Sequence, residues 1–240
     1  MGNVLVNDAY LYGIADAIRE KYDTEKKYLP SEMEDAVRGI ESGSGLDLSK
    51  YFFDLENGFR SADFGDNFVL KLQLDRLNNG TGKNSLRDAF TGMNANKIIL
   101  KSVQREIICS LINTFSNSTL QEIDISDFDL SITNGTNSFR NCKKLERING
   151  VIKFHETFQI TTNMFYDCSA LMEVRFVMET IPISISFAQS PNLSATSIQS
   201  IIEGLATVET SQTITFHADV KAKLTEAQIS QITSKNWTLA

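Results

Sequence analysis

Residues that build disulfides, metal sites and catalytic centres are scarce in this sequence. The chain has three cysteines, Cys109, Cys142 and Cys168, and two histidines, His155 and His217, among 240 residues. An odd number of cysteines in a long chain indicates free thiols rather than a secreted disulfide framework. None of the cysteines has the paired C-x-x-C spacing of a zinc site, and neither histidine lies in a recognisable nucleophile motif. We therefore expect no metal, no cofactor and no catalytic residue.

Long apolar runs and basic clusters are also missing. No stretch reaches the roughly 18 consecutive apolar residues that suggest a membrane-spanning helix. The 30 acidic residues outnumber the 23 basic ones, the net charge is -7, and no Lys/Arg-rich run could bind a phosphate backbone. The N-terminal stretch lacks the basic start and the uninterrupted apolar segment of a signal peptide. We expect a soluble protein, made in the cytoplasm, that inserts into no membrane and binds no nucleic acid.

Residues 1–45 predict a two-helix hairpin followed by a Ser/Gly-rich link at 41–45. Apolar residues spaced three or four apart form one face of each helix, and Ser31 with Glu34 fits a capping box for the second helix. So small a hairpin buries little by itself. We expect its apolar stripes to attach to another copy, to a neighbouring protein or to the repeats that follow. The candidate attachment and oligomerisation residues are Leu11, Ile14, Ile18, Met33, Val37 and Ile40.

Residues 46–85 combine many aromatic residues with one strand-like stretch. Val69 and Lys71 alternate with leucines in the sequence VLKLQL at 69–74, as the side chains of a strand do. The terminal unit of a stacked repeat has an open edge that must be shielded. We therefore interpret 46–85 as an aromatic-rich cap over the first edge of the repeats.

Residues 86–193 repeat one apolar block about every 25 residues. When each coil of such a chain stacks on the last, equivalent side chains lie roughly 4.8 Å apart and form buried ladders. The repeated residues are Phe90, Phe115, Phe139, Phe165 and Phe187; Ile98, Ile123, Ile148 and Val174; and Leu120, Leu145 and Leu171. This periodicity predicts an α+β, leucine-rich-repeat-like solenoid. Cys142 and Cys168 take the same place in successive coils, so we expect them to pack as neighbours, whether reduced or oxidised.

Two of the blocks, NSFRNCKKLERI and NMFYDCSALMEV, resemble BspA-type leucine-rich repeats, which occur in bacterial surface proteins and in phage or prophage tail proteins. The resemblance covers 86–193 and includes SDFDLSITNGTNSF, which is similar to the connecting stretch of that repeat class. Residues 194–240 resemble the helix, strand and helix unit that closes such arrays, and they end in a strand at Trp237. The resemblance implies a BspA-type solenoid with a C-terminal helix-strand-helix cap.

The N-terminal sequence NDAYLYGIADAIREKY, with LPSEMEDAVRGIES after it, resembles a short module at the start of tail or baseplate proteins from phages of Gram-positive bacteria. This implies a structural protein of the virion, in a tail, baseplate or tail fibre, which is made in the bacterial host cytoplasm. The implied partners are other tail or baseplate proteins and a host cell-surface glycan or protein. Since tails have rotational symmetry, we expect a homo-oligomer, with a homotrimer as the first choice.

Two other functions remain open at this stage. A bacterial BspA-like surface adhesin would carry the same repeats, together with a secretion route or a wall anchor. A glycan-cleaving tail enzyme would need a pair of carboxylates, for which Glu122, Asp124 and Asp127 are available. Charged residues between apolar rungs are normally the solvated face of a repeat, so we do not assign them a catalytic role.

One start of a calcium loop also occurs in the repeats. Asp127, Asp129 and Ser131 have the spacing of its first ligands. The sixth position is Ile132 where glycine is expected, and the twelfth is Ser138 where glutamate is needed. We therefore expect no calcium site there.

Deletion of residues 1–45 tests the predicted attachment module. We expect the shortened protein to remain folded and soluble but to be absent from virus particles, because the apolar stripes that attach it are gone. The measurement is immunoblotting of purified particles, with circular dichroism as the folding control. Normal incorporation of the shortened protein would show that attachment lies elsewhere in the chain.

Overall fold

The computed structural model describes residues 46–48, 58–73, 86–102, 104–158 and 160–240. Outside these ranges lie the predicted hairpin, the link and much of the predicted cap. The candidate attachment residues of the hairpin therefore lie outside the described residues: Leu11, Ile14, Ile18, Met33, Val37 and Ile40. The described part has eleven strands and three helices. In chain order these are β1 (Leu46–Leu48), β2 (Val69–Gln73), β3 (Lys97–Lys101), β4 (Glu106–Ser110), β5 (Glu122–Asp124), β6 (Asp129–Asn134), β7 (Arg147–Asn149), β8 (Ile152–Phe154), β9 (Ile185–Phe187), α1 (Ala195–Gly204), β10 (Gln212–Phe216), α2 (Ala218–Lys221), α3 (Glu226–Ser234) and β11 (Trp237–Leu239).

The strands form three parallel sheets with few helices, an α+β-like arrangement. The first sheet has the order β1-β2-β3-β5-β7, the second has the order β4-β6-β8, and the third has β10 between β9 and β11. From β3 to β8 the chain alternates between the first and second sheets. Each circuit of the chain, called a coil below, therefore adds one strand to each of these sheets.

The register of the first sheet follows the repeat period. Leu70 pairs with Ile98, Ile98 with Ile123, and Ile123 with Ile148. All four side chains are buried, whereas Lys97, which precedes Ile98, is partly exposed. Because successive side chains of a strand point to opposite faces, this register gathers the aliphatic residues on one buried face.

The second sheet adds a row of strands that the periodicity did not identify. Its buried residues pair from coil to coil: Leu130 pairs with Ile107 on one side and with Ile152 on the other, and Ile132 pairs with Cys109 and with Phe154 in the same way. Residues 126–139, interpreted from the sequence as a connecting stretch, contain β6 of this sheet. The sequence pattern of these strands is weak, because β8 has only three residues and because β6 buries three successive residues instead of alternating ones.

Stacked phenylalanines form a column through the core. Each of the seven rings is at most 5% exposed. Neighbouring centroids are separated by 5.8 Å for Phe59–Phe90, 5.3 Å for Phe90–Phe115, 5.4 Å for Phe115–Phe139, 5.2 Å for Phe139–Phe165, 4.7 Å for Phe165–Phe187 and 6.2 Å for Phe187–Phe216. Each such pair contributes about 0.5–1.5 kcal/mol beyond the burial of its area.

The column begins earlier than the sequence interpretation placed it. Phe59 lies in the segment predicted as a cap, yet its N–H donates to the carbonyl of Ala89 at 2.7 Å, and β2 pairs with β3 over five residues. This segment therefore continues the stack. Phe59 precedes Phe90 by 31 residues, which is longer than the common period, so a search at about 25 residues does not include it.

Asparagines allow the tight turns that carry the phenylalanines. Asn113, Asn117, Asn137 and Asn141 all have left-handed backbone, with φ between 53° and 59°. Asparagine tolerates this conformation better than other non-glycine residues. Side-chain amides also link the coils, since Asn137 Nδ2 donates to Asn113 Oδ1 at 3.0 Å and Asn141 Nδ2 donates to Asn117 Oδ1 at 2.8 Å.

Helix α1 covers the end of the first two sheets. The N–H of Val174 donates to Ser197 Oγ, and that of Phe176 donates to Ser200 Oγ, each at 3.0 Å. Two backbone donors at the last edge are thus satisfied by hydroxyls of the helix instead of by another strand. Helix α1 packs closely on Phe176, because a Cβ added at Gly204 would lie 2.9 Å from Phe176 Cβ.

The third sheet and the remaining helices complete the C-terminal part. Ile185 pairs with Ile214, and Phe187 pairs with Phe216, so the last predicted repeat is joined directly to the C-terminal segment. Helix α3 begins with a capping box between Thr225 and Gln228. None of the helices in the described ranges has the length and apolar character needed to cross a bilayer.

Replacing a ring in the middle of the column should destabilise the protein strongly. We expect Phe139→Ala to lower the free energy of unfolding by about 3–5 kcal/mol, because it removes a fully buried ring between two others. Tyr166→Ala is the control, since this aromatic ring is 46% exposed and its loss should cost about 1 kcal/mol or less. Urea unfolding followed by circular dichroism measures both values. Equal losses in the two variants would contradict a stabilising column.

Candidate functional site

A groove of about 350 Å³ lies where the last phenylalanine turn meets the third sheet. Buried Met164, Phe165 and Ile185, with Ala188 beside them, supply its apolar part. The polar residues lining it are Thr161, Thr162, Asn163, Tyr166, Ser184, Ser186, Gln189, Thr213 and Thr215. The groove thus combines an apolar floor with hydroxyl and amide walls.

Strand alternation explains the wall formed by β9 and β10. Phe187 and Phe216 point into the core. Ser186 and Thr215, which precede them, pair with each other and face the opposite side of the sheet. Neighbouring strands lie about 4.8 Å apart, so the hydroxyls of this face form a regular array.

The other wall is formed by the turn at 161–167. Asn163 and Asp167 are left-handed, with φ of 52° and 57°, and this backbone presents the side chains between them. The row of hydrogen bonds between asparagine side chains of successive coils ends at Asn137. Its Oδ1 is buried without a hydrogen-bond partner, and Asn163 of the next coil does not donate to it. The Asn163 amide instead lines the groove.

Tyr166 provides an aromatic surface at the rim. Its side chain is 46% exposed, unlike the buried ring of Phe165 beside it. The guanidinium carbon of Arg140 lies 5.8 Å from the centroid of the Tyr166 ring, which places a cation–π contact on one face. This contact orients the ring while part of its surface remains open to solvent.

Hydrogen bonds between coils hold the two walls together. Thr161 Oγ1 donates to the carbonyl of Ser184. Ser184 N and Oγ both donate to Gln212 Oε1 at 2.9 Å, and Thr213 N donates to Ser184 Oγ at 2.9 Å. At the other end, Asp167 N donates to Gln189 Oε1 at 2.6 Å. The groove is therefore preorganised, which lowers the entropic cost of binding.

The chemistry of the groove is that of neutral recognition. Among the described residues that line it, none carries a carboxylate, an ammonium, a guanidinium or an imidazole. Hydroxyl and amide groups donate and accept hydrogen bonds, but they supply no acid–base pair near neutral pH. The described residues also contain no group of three or more His, Cys, Asp or Glu that could hold a metal ion. The arrangement can bind a polar, uncharged ligand.

A second hollow, of about 480 Å³, lies over the second sheet and has charged walls. Lys153 Nζ contacts Glu106 Oε1 at 2.8 Å, and the hydrogen bond from Lys153 lowers the pKa of Glu106. The lysine and one of the three glutamates that line this hollow are therefore paired with each other. This hollow is the weaker candidate for a ligand.

The carboxylates considered for glycan cleavage are engaged in structural contacts. Lys97 Nζ lies 2.6 Å from Glu122 Oε1 and 3.5 Å from Asp124 Oδ2. Burial acts to raise the pKa of Asp124, but hydrogen bonds from Ser126 and the charge of Lys97 outweigh it and lower this pKa. A glycosidase acid needs a raised pKa, so Asp124 is poorly suited to that role.

The residues that begin like a calcium loop also have structural roles. Asp127 Oδ2 accepts a hydrogen bond from the backbone N–H of Ser102 at 3.2 Å. Asp129 is exposed at the start of β6, whereas Ser131 of the same strand is buried and pairs with Ile108. Asp127 is thus engaged with the backbone and Ser131 is buried, so these residues do not wrap around one ion as the ligands of a calcium loop do.

The three cysteines are free and buried thiols. Cys142 Sγ donates to the carbonyl of Phe115, and Cys168 Sγ donates to that of Phe139, each at 3.0 Å. Burial raises the pKa of Cys109 and of Cys142 to about 12, and it raises the pKa of Cys168 well above its ordinary value. These thiols contribute packing and coil-to-coil contacts rather than nucleophilic chemistry.

Sequence reasoning did not find the groove, although two of its signals are visible. Thr213 and Thr215 flank Ile214 in a short alternating run, and Tyr166 follows Phe165 directly. Bringing them together requires the pairing of β9 with β10, which joins residues 29 apart instead of about 25. That pairing lies outside the repeat period.

Comparisons with known proteins give no family for this chain. No protein-family model, no curated protein and no solved structure matches it.

Substituting one buried thiol tests its role in packing. Ser118 and Ser190 take the place of Cys142 in other coils and are buried, so Cys142→Ser should change the free energy of unfolding at pH 7 by about 1 kcal/mol or less. Above pH 9 the unfolded thiol loses its proton while the folded one keeps it, so wild-type stability falls as pH rises toward 12. This contribution is absent in Cys142→Ser.

Urea unfolding of both proteins at pH 7 and at about pH 10.5 measures the difference. We expect the variant to lose less stability than wild type, by up to about 1.4 kcal/mol per pH unit. Lysine and tyrosine titrations are common to both proteins and cancel in the comparison. An identical loss in both would refute the raised pKa of Cys142.

Proposed function

We propose that this chain is a structural protein of a bacteriophage tail, baseplate or tail fibre, built on BspA-type leucine-rich repeats, that contacts the host cell surface. In this proposal the groove beside Tyr166 is the contact site. Residues 1–45 attach the protein to other tail or baseplate proteins, in a homotrimer. The protein is made in the host cytoplasm, becomes part of the virion and has no enzymatic activity.

The observation that carries the proposal is the rigid, uncharged groove. Its hydroxyls and its exposed ring lie outside the core, while the stack behind them is filled by buried aliphatic and aromatic side chains. Such a division suits a protein that presents a preformed surface to a partner. It suits hydrolysis less, because the described residues that line the groove include no pair of carboxylates such as glycosidases use.

Support for the repeat assignment comes from the register of the parallel sheets. Ile98, Ile123 and Ile148 pair directly, and each is about 25 residues from the next. The phage assignment draws instead on the resemblance of the N-terminal sequence to tail and baseplate modules. A BspA-like surface adhesin would use the same groove, so location decides between the two. Immunogold labelling of particles released by the bacterium, compared with labelling of its intact cells, makes that distinction.

Blocking the groove should abolish attachment to cells. Ala188 lines the groove and is exposed, so Ala188→Arg fills it with a long charged side chain without removing a side-chain hydrogen bond. The matched control is Ala227→Arg, at an exposed position of α3 that does not line the groove. We expect fluorescently labelled wild type and the control to bind host cells in flow cytometry, and Ala188→Arg to lose at least about 90% of that binding. Equal binding by both variants would place the contact elsewhere.

A further inference from the structure

We infer that the groove beside Tyr166 binds a neutral glycan, with one sugar ring stacked on the tyrosine. The inference rests on the proposed function only in taking this groove as the contact site. It adds the chemical class of the ligand, which follows from three observations: the absence of charge among the described lining residues, the supply of unused hydrogen-bonding groups and the exposed aromatic ring.

Charge excludes several ligand classes. Phosphates and carboxylates are recognised in proteins by arginine, lysine or a helix N-terminus, and cationic groups by carboxylates. None of the described residues lining the groove is charged, and β9 and β10 contribute only Ile185, Ser186, Thr213 and Thr215 to it. Arg140 is nearby, but its guanidinium lies over the Tyr166 ring. The lining therefore favours an uncharged ligand over a nucleotide, a teichoic-acid-like polymer or an acidic peptide.

Unused polar groups match the surface of a sugar. Among the described residues, the side chains of Thr162, Asn163, Thr213 and Thr215 line the groove without an intramolecular hydrogen bond. A hydroxyl donates once and accepts twice, and an amide offers both functions on separate atoms. Sugar hydroxyls have the same dual character, so they can replace water at these groups without leaving a donor or acceptor unpaired.

Tyr166 supplies the apolar half of the recognition. A sugar ring has a C–H face as well as hydroxyl edges, and C–H groups pack on an aromatic surface through weak hydrogen bonds and dispersion. The ring is 46% exposed, and the Arg140 guanidinium carbon, 5.8 Å from its centroid, favours one orientation of the ring before a ligand arrives. A tyrosine also loses little conformational entropy on binding, since it has only two side-chain torsions.

Size and rigidity favour a short glycan segment. The volume of about 350 Å³ is near the lower end of the range for small-ligand sites, roughly 300–1,000 Å³. The walls are joined by the hydrogen bonds of Ser184 with Thr161, Gln212 and Thr213. The groove thus accommodates a few sugar units of a longer chain without rearranging.

Binding of the full-length protein to an array of oligosaccharides tests the inference. The probes are neutral oligosaccharides of glucose, galactose, rhamnose and N-acetylhexosamine units, printed beside acidic ones that carry uronate or phosphate. We expect at least one neutral probe to bind and to compete with binding to cells. Binding confined to the acidic probes, or to none, overturns the inference.

Variants then locate the site, using calorimetry with the neutral oligosaccharide that binds best. Tyr166→Ala should weaken affinity about tenfold or more, Tyr166→Phe should keep most of it, and Thr215→Val should weaken it by about threefold to tenfold. Thr207→Val is the matched control, since Thr207 is exposed and does not line the groove. Unchanged affinity in both Tyr166→Ala and Thr215→Val, with each variant folded by circular dichroism, overturns the assignment to this groove.

The two proposals fail separately. Cell binding without binding to any neutral oligosaccharide removes the glycan inference and leaves host contact in place. Oligosaccharide binding in the groove without binding to host cells removes the proposed function and leaves the glycan site in place.

Discussion

The column of stacked phenylalanines is the constraint on which the rest of the structure depends. A ring can lie about 5 Å from its neighbours on both sides only if each coil returns to nearly the same place. That requirement explains the left-handed asparagines, which turn the backbone tightly enough, and the small side chains three residues after four successive rings, at Ser118, Cys142, Cys168 and Ser190. At two of these positions, the thiols of Cys142 and Cys168 donate hydrogen bonds to carbonyls of the preceding coil. The inner positions are thus determined by packing, and variation is confined to the outer ones.

The groove arises where this regular stacking changes. Phe165 still belongs to the two-sheet coils, whereas Phe187 lies on β9 and its partner Phe216 lies on β10 of the third sheet. The change in strand arrangement leaves a gap beside the last turn, with Thr161 and Asn163 on one side and Thr213 on the other. Identical coils would pack without such a gap. The site is therefore a product of the transition between two kinds of sheet.

Sequence periodicity predicts the part of the fold that repeats and little else. The spacing of Phe90, Phe115 and Phe139 was enough to place these rings in equivalent positions, because one buried ladder imposes one period. Phe59 and Phe216 belong to the same column but fall outside that period, so they can be assigned to it only once the pairing of the strands is known. The groove was not predictable for the same reason, since Tyr166 and Thr215 line one groove only because β9 pairs with β10. Glu122 and Asp124, which drew notice as carboxylates, contact Lys97 across neighbouring strands.

Helix α1 determines where along the chain the number of repeats can change. Ser197 and Ser200 bind the backbone of Val174 and Phe176, so the final coil is fitted to a helix and not to a following strand. A duplicated unit inserted after that coil would separate the helix from the edge it covers. A duplicated unit inserted between earlier coils would pack against another coil on each side, as its neighbours already do. Lengthening or shortening of such a chain during evolution is therefore confined to its interior, in whole units of about 25 residues.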